Sequence, residues 1–215
     1  MDRPPGRHGL RGATPRVSSG PSLDPRTTLH GITIHEVARR LAEISKPVPL
    51  ACSAGLAIAF ALLAFRRFGF APRWWLVLPL LGALAVIVVL DLRIRIIPDI
   101  ITLPGLAYAL GLAAVSAWDP TVIEAGLGAL VGGGVVLLVA IVSRGGMGGG
   151  DIKLMAMLGA ALEWRDALIV LAFSQVVGAI IVLGVLVVRR RRPTRHLPVG
   201  ALIALFGAIF LIYSP

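Results

Sequence analysis

The sequence predicts an all-α membrane protein, a polytopic bundle of about six to seven transmembrane helices. Of the 215 residues, 57% are hydrophobic and only 15% are charged, and the mean hydropathy is +0.88. Ordinary soluble domains carry roughly a quarter charged residues. A water-soluble fold of this size could not bury so much apolar surface, so the composition indicates that a lipid bilayer surrounds most of the chain.

The N-terminal part of the chain differs from the rest. Residues 1–32 are rich in Pro, Gly, Arg and Ser and lack apolar periodicity, so we expect a disordered tail. The segment 33–46 has Thr33 and Glu36 at capping-box spacing and apolar residues at helical intervals. This pattern predicts an amphipathic helix at the membrane surface. The remainder, residues 47–215, is predicted to be the membrane-embedded domain.

Seven apolar runs within that domain are each predicted to form a helix. They are approximately residues 48–65, 74–90, 100–118, 122–143, 152–163, 167–188 and 198–213. Most are long enough to cross about 30 Å of hydrocarbon, whereas the fifth is expected to be short or only partly submerged. Gly128 and Gly132 in the fourth run indicate either a close helix contact or simple richness in glycine.

The distribution of Lys and Arg predicts the orientation of the bundle. Most basic residues near helix ends would share one face with the N-terminal tail, and the positive-inside rule assigns that face to the cytoplasm. They are Arg93, Arg95, Arg144, Lys153, Arg189 to Arg192 and Arg195. A smaller set would lie outside and disagrees with this rule: Arg66, Arg67, Arg73 and Arg165. The majority predicts a multi-pass protein of the inner (plasma) membrane with a cytoplasmic N-terminus.

Charge and cysteine content narrow the classes of partner and cofactor. The formal net charge of +10 is divided among short segments between apolar runs. This pattern is typical of membrane topology signals, so we expect membrane lipids and no nucleic acid as partners. The one cysteine, Cys52, excludes an internal disulfide and a multi-cysteine zinc site. None of the His residues has metal-ligand spacing, so neither a metal nor a cofactor is expected.

Three carboxylates on the predicted cytoplasmic face need an explanation, because an ionisable residue at a membrane helix is unfavourable and indicates function. Asp91 ends an apolar run, Asp99 lies eight positions later, and Asp151 follows a glycine-rich run. Asp151 could also be a helix cap. If Asp91 and Asp151 meet at a partly desolvated boundary, one of them keeps a proton and the pair can act as base and acid. From the residues alone, a structural or proton-relay role for the pair stays open.

Two motifs resemble the signatures of the type IV prepilin peptidases, which are Gly-x-Gly-Asp aspartyl membrane peptidases. In the first, Asp91 is followed seven positions later by Pro98 and then by Asp99. The second is Gly-Gly-Gly-Asp-Ile-Lys-Leu at residues 148–154. Their order, their membrane setting and the separation of 60 positions between the two acids also suit this family. The resemblance extends over about residues 47–213.

This resemblance implies an aspartic endopeptidase that removes the leader peptide of type IV or Flp prepilins or pseudopilins at the cytoplasmic membrane face. A prepilin or pseudopilin precursor is therefore the implied partner. Asp91 and Asp151 correspond to the family's catalytic pair, which would activate a water molecule and protonate the leaving amine. Further positions are implied to shape the site without being catalytic: Pro98, Asp99, Gly148, Gly150 and Lys153.

The chain departs from the family in two places. Before the last helix the family usually has Pro-Phe-Gly-Pro, whereas this chain has Pro198–Val199–Gly200–Ala201, a difference expected to affect substrate docking rather than chemistry. Larger members also carry a four-cysteine zinc module and N-methylate the new pilin terminus. Since Cys52 is the only cysteine, we predict a peptidase without methyltransferase activity. Such a short form looks closest to the peptidases of tight-adherence (Flp) pilus systems.

Two alternatives stay open. A Gly-x-Gly-Asp protease of the signal peptide peptidase type would cut helices inside the bilayer, but its first Asp lies in a Tyr-Asp setting deep in a span. Asp91 instead follows Leu90 at a helix end. A non-enzymatic membrane subunit or a proton-coupled transporter would use the acids as a relay.

Overall fold

A computed structural model gives the structure of the chain. It describes residues 28–29, 32–33, 47–115, 120–144, 147–189 and 198–213. The chain divides into two compact units, residues 1–41 and 42–215.

The first unit contains a short antiparallel strand pair. The strands β1 (Thr28–Leu29) and β2 (Ile32–Thr33) place Thr28 opposite Thr33 and Leu29 opposite Ile32. This pair was not predicted, and it lies at the end of the predicted tail. The rest of that tail and the rest of the predicted amphipathic helix 33–46 lie outside the described residues.

The described residues of the second unit form six α-helices, which confirms the predicted all-α membrane bundle. They are α1 (Pro47–Phe68), α2 (Pro72–Ile94), α3 (Asp99–Ala114), α4 (Val122–Val142), α5 (Gly149–Arg189) and α6 (Val199–Tyr213). Within this part of the chain, α1, α2, α4 and α5 contain runs long and apolar enough to cross a membrane. The other two are shorter apolar helices of 16 and 15 residues.

Helix α5 is interrupted at Glu163, whose φ of 68° and ψ of 163° are not helical. A residue with a side chain rarely adopts this conformation, so the break carries local backbone strain. We refer to residues 149–162 as the short limb of α5 and to residues 164–189 as its long limb. The break separates the two helices that the sequence predicted at 152–163 and 167–188.

Helix α6 contacts both limbs of α5. On one side, Leu158 of the short limb packs against Gly207, where a Cβ atom would lie 2.6 Å from Cδ2 of Leu158. On the other side, Phe173 of the long limb lies beside Phe206, with ring centroids 6.2 Å apart. Since Phe206 and Gly207 are neighbours, the long limb turns back alongside the short limb.

A stripe of glycines allows α4 to approach α5 closely. The backbone of α5 fills the position where Gly128 would carry a side chain, and a Cβ at Gly132 would lie 2.6 Å from the carbonyl oxygen of Met155. Gly134 of the same helix has nothing within 4 Å of its Cβ position. The glycines of α4 that matter are therefore those facing α5, which favours the interpretation of close helix contact over general glycine richness.

The core of this unit lies where α2, the short limb of α5 and α6 meet. Its largest fully buried side chains include Leu80, Leu81, Leu84, Ile87, Leu154, Met155, Met157, Leu158, Ile203, Leu211 and Ile212. Helix association inside a bilayer depends on van der Waals packing, because lipid tails are as apolar as these side chains. The core therefore fixes the positions of the helix ends that carry the polar residues described next.

The connection between α2 and α3 is short, and backbone hydrogen bonds close the end of α2. Arg95 adopts a left-handed conformation with a φ of 55°, and its backbone N–H donates to the carbonyls of Leu90 and Asp91, which closes the last turn of α2. Pro98 then precedes the first residue of α3 in an extended conformation, with a φ of −74° and a ψ of 134°. The chain therefore reverses within a few residues, and Asp91 and Asp99 lie at the same end of the bundle.

Candidate active site

Asp91 lies in the last turn of α2 and is almost completely buried, with 6% of its surface exposed. Its Oδ2 accepts a hydrogen bond of 2.6 Å from the backbone N–H of Ala201, in the first turn of α6. A buried carboxylate without such a partner would be strongly unfavourable. Its burial and this short hydrogen bond hold the carboxylate of Asp91 in one orientation.

Asp151 lies in the first turn of α5 and is half-buried. Its Oδ2 accepts a hydrogen bond of 3.2 Å from the backbone N–H of Gly148, and its own N–H donates to the carbonyl of Gly148 at 3.1 Å. Asp151 thus contributes to capping the start of α5, which was one of its two possible roles. The other carboxylate oxygen, Oδ1, does not take part in this cap and faces α6.

The two carboxylates share one pocket at the start of α6. A Cβ atom built on Gly200 would lie 2.9 Å from Oδ1 of Asp151 and 3.1 Å from Oδ2 of Asp91. Because two sides of a triangle bound the third, these oxygens are at most about 6 Å apart. A water molecule that donates to two oxygens spans roughly 5.5 Å. The two carboxylates therefore face one shared space, whose width is of the same order as the span of one water molecule.

Ile97, in the connection between α2 and α3, forms an apolar wall of this pocket. Its Cβ would lie 2.7 Å from a Cβ on Gly150, and its Cδ1 would lie 2.6 Å from a Cβ on Gly200. A larger residue at either glycine would displace Ile97. The two glycines therefore let the connection approach both α5 and α6 closely.

An ion pair fastens α3 to α5 beside the pocket. Nζ of Lys153 lies 2.5 Å from Oδ2 of Asp99, and both side chains are exposed. An exposed pair contributes little to stability, about 0–1 kcal/mol. Its location is more informative, because it connects the residue after Pro98 to the residue two positions after Asp151. Pro98, Asp99 and Lys153 thus lie near the pocket, and their site-shaping role stays a prediction.

The structure therefore brings all the sequence-predicted site residues to one end of the bundle. Sequence reasoning did not select three further residues: Ile97, Gly200 and Ala201. A signal for two of them was present, because the motif before the last helix was noted as a family feature. Ile97 had no signal of its own, since Ile96 beside it is the same apolar residue.

A prediction follows for the glycine-rich run. Gly150→Ala is expected to lower the free energy of unfolding by about 1–3 kcal/mol, because the new Cβ would meet Ile97 at 2.7 Å and shift the α2–α3 connection. Gly149→Ala is the matched control, since nothing lies within 4 Å of its Cβ position. Thermal unfolding of the two purified variants measures both changes in stability. Equal losses in the two would show that the run serves as a flexible loop rather than as a close contact.

Comparisons with known proteins agree on one family. Residues 78–183 match the model of the type IV leader peptidase family, a range that contains both Asp91 and Asp151 and ends before α6. A curated protein of Aeromonas hydrophila, named prepilin leader peptidase/N-methyltransferase, is 35% identical over 151 residues, which are 67% of this chain and 52% of that protein.

Two further proteins of the same name show similar likeness. The one from Pseudomonas putida is 31% identical and the one from Bacillus subtilis (strain 168) is 29% identical, and each alignment covers 69% of this chain. These alignments cover 53% and 59% of the two relatives, so the chain spans little more than half the length of the curated relatives it matches. No solved structure matches the chain.

Proposed function

We propose, because the chain belongs to the type IV leader peptidase family, that it is an aspartic endopeptidase that removes the leader peptide of type IV or Flp prepilins or pseudopilins. The observation that carries this proposal is the pocket that Asp91 and Asp151 share. In it, Oδ2 of Asp91 and Oδ1 of Asp151 are at most about 6 Å apart. These two acids are on different helices and 60 positions apart in the sequence. Their meeting at one point supports a joint chemical role.

The chemistry available to this pair is the hydrolysis of a peptide bond by general acid–base catalysis. One carboxylate takes a proton from a water molecule, whose oxygen then attacks the carbonyl carbon of the scissile peptide. The protonated partner donates to the developing oxyanion and then to the leaving amine. A pocket that both carboxylates face suits this division of work.

The surroundings of the pocket support a cytoplasmic site near anionic lipid headgroups. Arg93 and Arg95 are exposed at the end of α2 that carries Asp91, and Lys153 lies close to Asp151. Basic residues at this end agree with the positive-inside rule for a protein of the inner membrane. We assign these charges to contacts with anionic lipids rather than to the substrate, because a basic leader peptide would be repelled by them.

We further propose that the chain cleaves without N-methylating its product. The names of the relatives combine both activities, but they are said of proteins nearly twice as long as the matched region. The family's methyltransferase module contains four cysteines, whereas Cys52 is the one cysteine of this chain and lies exposed on α1. These 215 residues therefore do not supply four cysteines.

The experiment that tests both proposals uses the purified full chain in lipid nanodiscs with a prepilin precursor. Mass spectrometry of the product is expected to show loss of the leader and a free, unmethylated amino terminus, with S-adenosylmethionine present. Nanodiscs without the chain are the control for spontaneous cleavage. A product cut within its apolar helix would instead indicate a Gly-x-Gly-Asp intramembrane protease of another type. Ion-driven transport by a chain that leaves prepilins intact would indicate a proton-coupled transporter.

A further inference from the structure

The start of α6 supplies a hydrogen-bond donor that no motif of charged residues could reveal. The first N–H groups of an α-helix have no acceptor within the helix. In α6, which begins at Val199, the N–H of Ala201 is one of these groups. It donates instead to Oδ2 of Asp91, across 110 positions of sequence and at 2.6 Å. The free donor of one helix thus meets the buried acid of another.

This hydrogen bond distinguishes the two carboxylates. Asp91 is 6% exposed and Ala201 is 4% exposed, so the bond is shielded from water. The donor to Asp151 is the backbone N–H of Gly148, an exposed residue. This hydrogen bond is longer, at 3.2 Å. Hydrogen bonds to a charged acceptor are shorter and stronger than those to a neutral one, and burial strengthens them further. Asp91 therefore has the better environment for a negative charge.

Other described charges near Asp91 also affect which of the two acids carries the negative charge. The N-terminus of α6 carries a partial positive charge that favours an anion beside it. Burial disfavours a charge on Asp91, whereas the hydrogen bond from Ala201 and the positive charge of Arg95, just beyond the end of the same helix, favour it. Asp151 on α5 faces Asp91, so a negative charge on Asp91 favours the protonated form of Asp151.

We propose that the N–H of Ala201 is a positioning donor that holds Asp91 as the ionised base, and that Asp151 is the protonated acid. This assignment rests on the proposed peptidase function and adds the roles of the two acids to it. Asp91 accepts a proton from water as the water oxygen bonds to the scissile carbonyl carbon. Asp151 gives its proton to the leaving nitrogen as the carbon–nitrogen bond breaks. The two products are a carboxylic acid and an amine, and the protons balance.

The donor can be removed without changing either carboxylate. Ala201→Pro deletes the N–H, and proline is tolerated in the first turn of a helix. A second variant, in which lactic acid replaces Ala201 by suppressor tRNA, turns the amide into an ester and deletes the N–H while keeping the shape. Val199→Pro is the matched control, because it introduces proline into the same turn and leaves the donor in place.

We expect both donor-deleted variants to lose about tenfold in kcat with KM changed less than about twofold. Because the donor favours the charged form of Asp91, its removal is also expected to move the acid limb of the pH–rate profile upward by about one pH unit. Val199→Pro is expected to keep the acid limb of the unaltered chain. Cleavage of a prepilin in nanodiscs between pH 4 and 9 (about half-unit steps) provides both readouts.

The outcomes separate this inference from the proposed function. If the ester variant keeps both kcat and the acid limb, the N–H of Ala201 has no positioning role, and the peptidase proposal stands on the aspartates alone. If only KM rises, the donor serves substrate binding, which also overturns the inference. If Ala201→Pro does not reach the membrane, the ester variant decides. Failure of the peptidase proposal itself would appear differently, as undiminished cleavage after the aspartates are replaced.

Discussion

The variants Asp91→Asn and Asp151→Asn are each expected to lower kcat for prepilin cleavage by roughly 10²–10⁴-fold. An amide is close to a carboxyl group in shape, so both variants should fold and reach the membrane. The amide at position 91 cannot take a proton from water, and the amide at position 151 cannot give one to the leaving amine. Single-turnover cleavage in nanodiscs measures the loss directly, without a contribution from product release.

Asp99→Asn is the matched control for these variants, because Asp99 lies at the same end of the bundle but is exposed and paired with Lys153. Its replacement is expected to reduce kcat by less than about tenfold, since an exposed ion pair is weak. The double variant of Asp91 and Asp151 should be hardly worse than either single variant, because residues that act as a unit are not additive. A large loss in Asp99→Asn together with a small loss in Asp151→Asn would contradict the assigned pair.

Gly200→Ala is expected to lower kcat about 100-fold, because a shift of about 1 Å in catalytic groups can have an effect of this size. The added Cβ would lie 2.9 Å from an oxygen of Asp151, 3.1 Å from an oxygen of Asp91 and 2.6 Å from Cδ1 of Ile97. These contacts are tighter than van der Waals packing permits, so the carboxylates must separate or turn. Prepilin cleavage and thermal unfolding of the same preparation measure the effects on catalysis and stability.

Gly207→Ala provides a control on the same helix. Its Cβ would be similarly crowded, at 2.6 Å from Leu158, but the contact is with a flexible side chain in the core and away from the carboxylates. We expect this variant to lose stability, by about 1–3 kcal/mol, and to keep kcat within about threefold once folded. Equal losses of kcat in both variants would indicate that α6 acts through general packing rather than through the space between the two acids.

Much of the helical fold could be predicted from the apolar runs, because a helix that lies in lipid must be apolar over its length. The interruption at Glu163 was also predictable, since Glu163, Arg165 and Asp166 separate two such runs. The exact ends of the helices were harder to predict. The third helix was expected to reach residue 118, whereas it ends at Ala114. The strand pair at Thr28 to Thr33 could not be predicted, because strands of two residues have no measurable periodicity.

The candidate site was predictable only as far as its side chains carried charge or its glycines formed a run. Asp91 and Asp151 were identified because acids at apolar helix ends need a reason. Ala201 could not be identified in this way, because its contribution is a backbone N–H, which every residue except proline has. Its partner depends on the register between α2 and α6, and register is decided by packing of the whole core. Gly200 and Ile97 depend on the same tertiary contacts.

The lengths of α3 and α6 have a consequence for the surrounding lipid. At 1.5 Å per residue, these helices are about 24 Å and 22 Å long, whereas the hydrocarbon of an ordinary bilayer is about 30 Å thick. Short helices are accommodated by local thinning of the bilayer, a response known as hydrophobic mismatch. Both helices begin beside the two acids, so thinning at that end draws headgroups and bulk water towards them. We therefore expect the acyl-chain length of the host membrane to affect how readily water reaches Asp91 and Asp151.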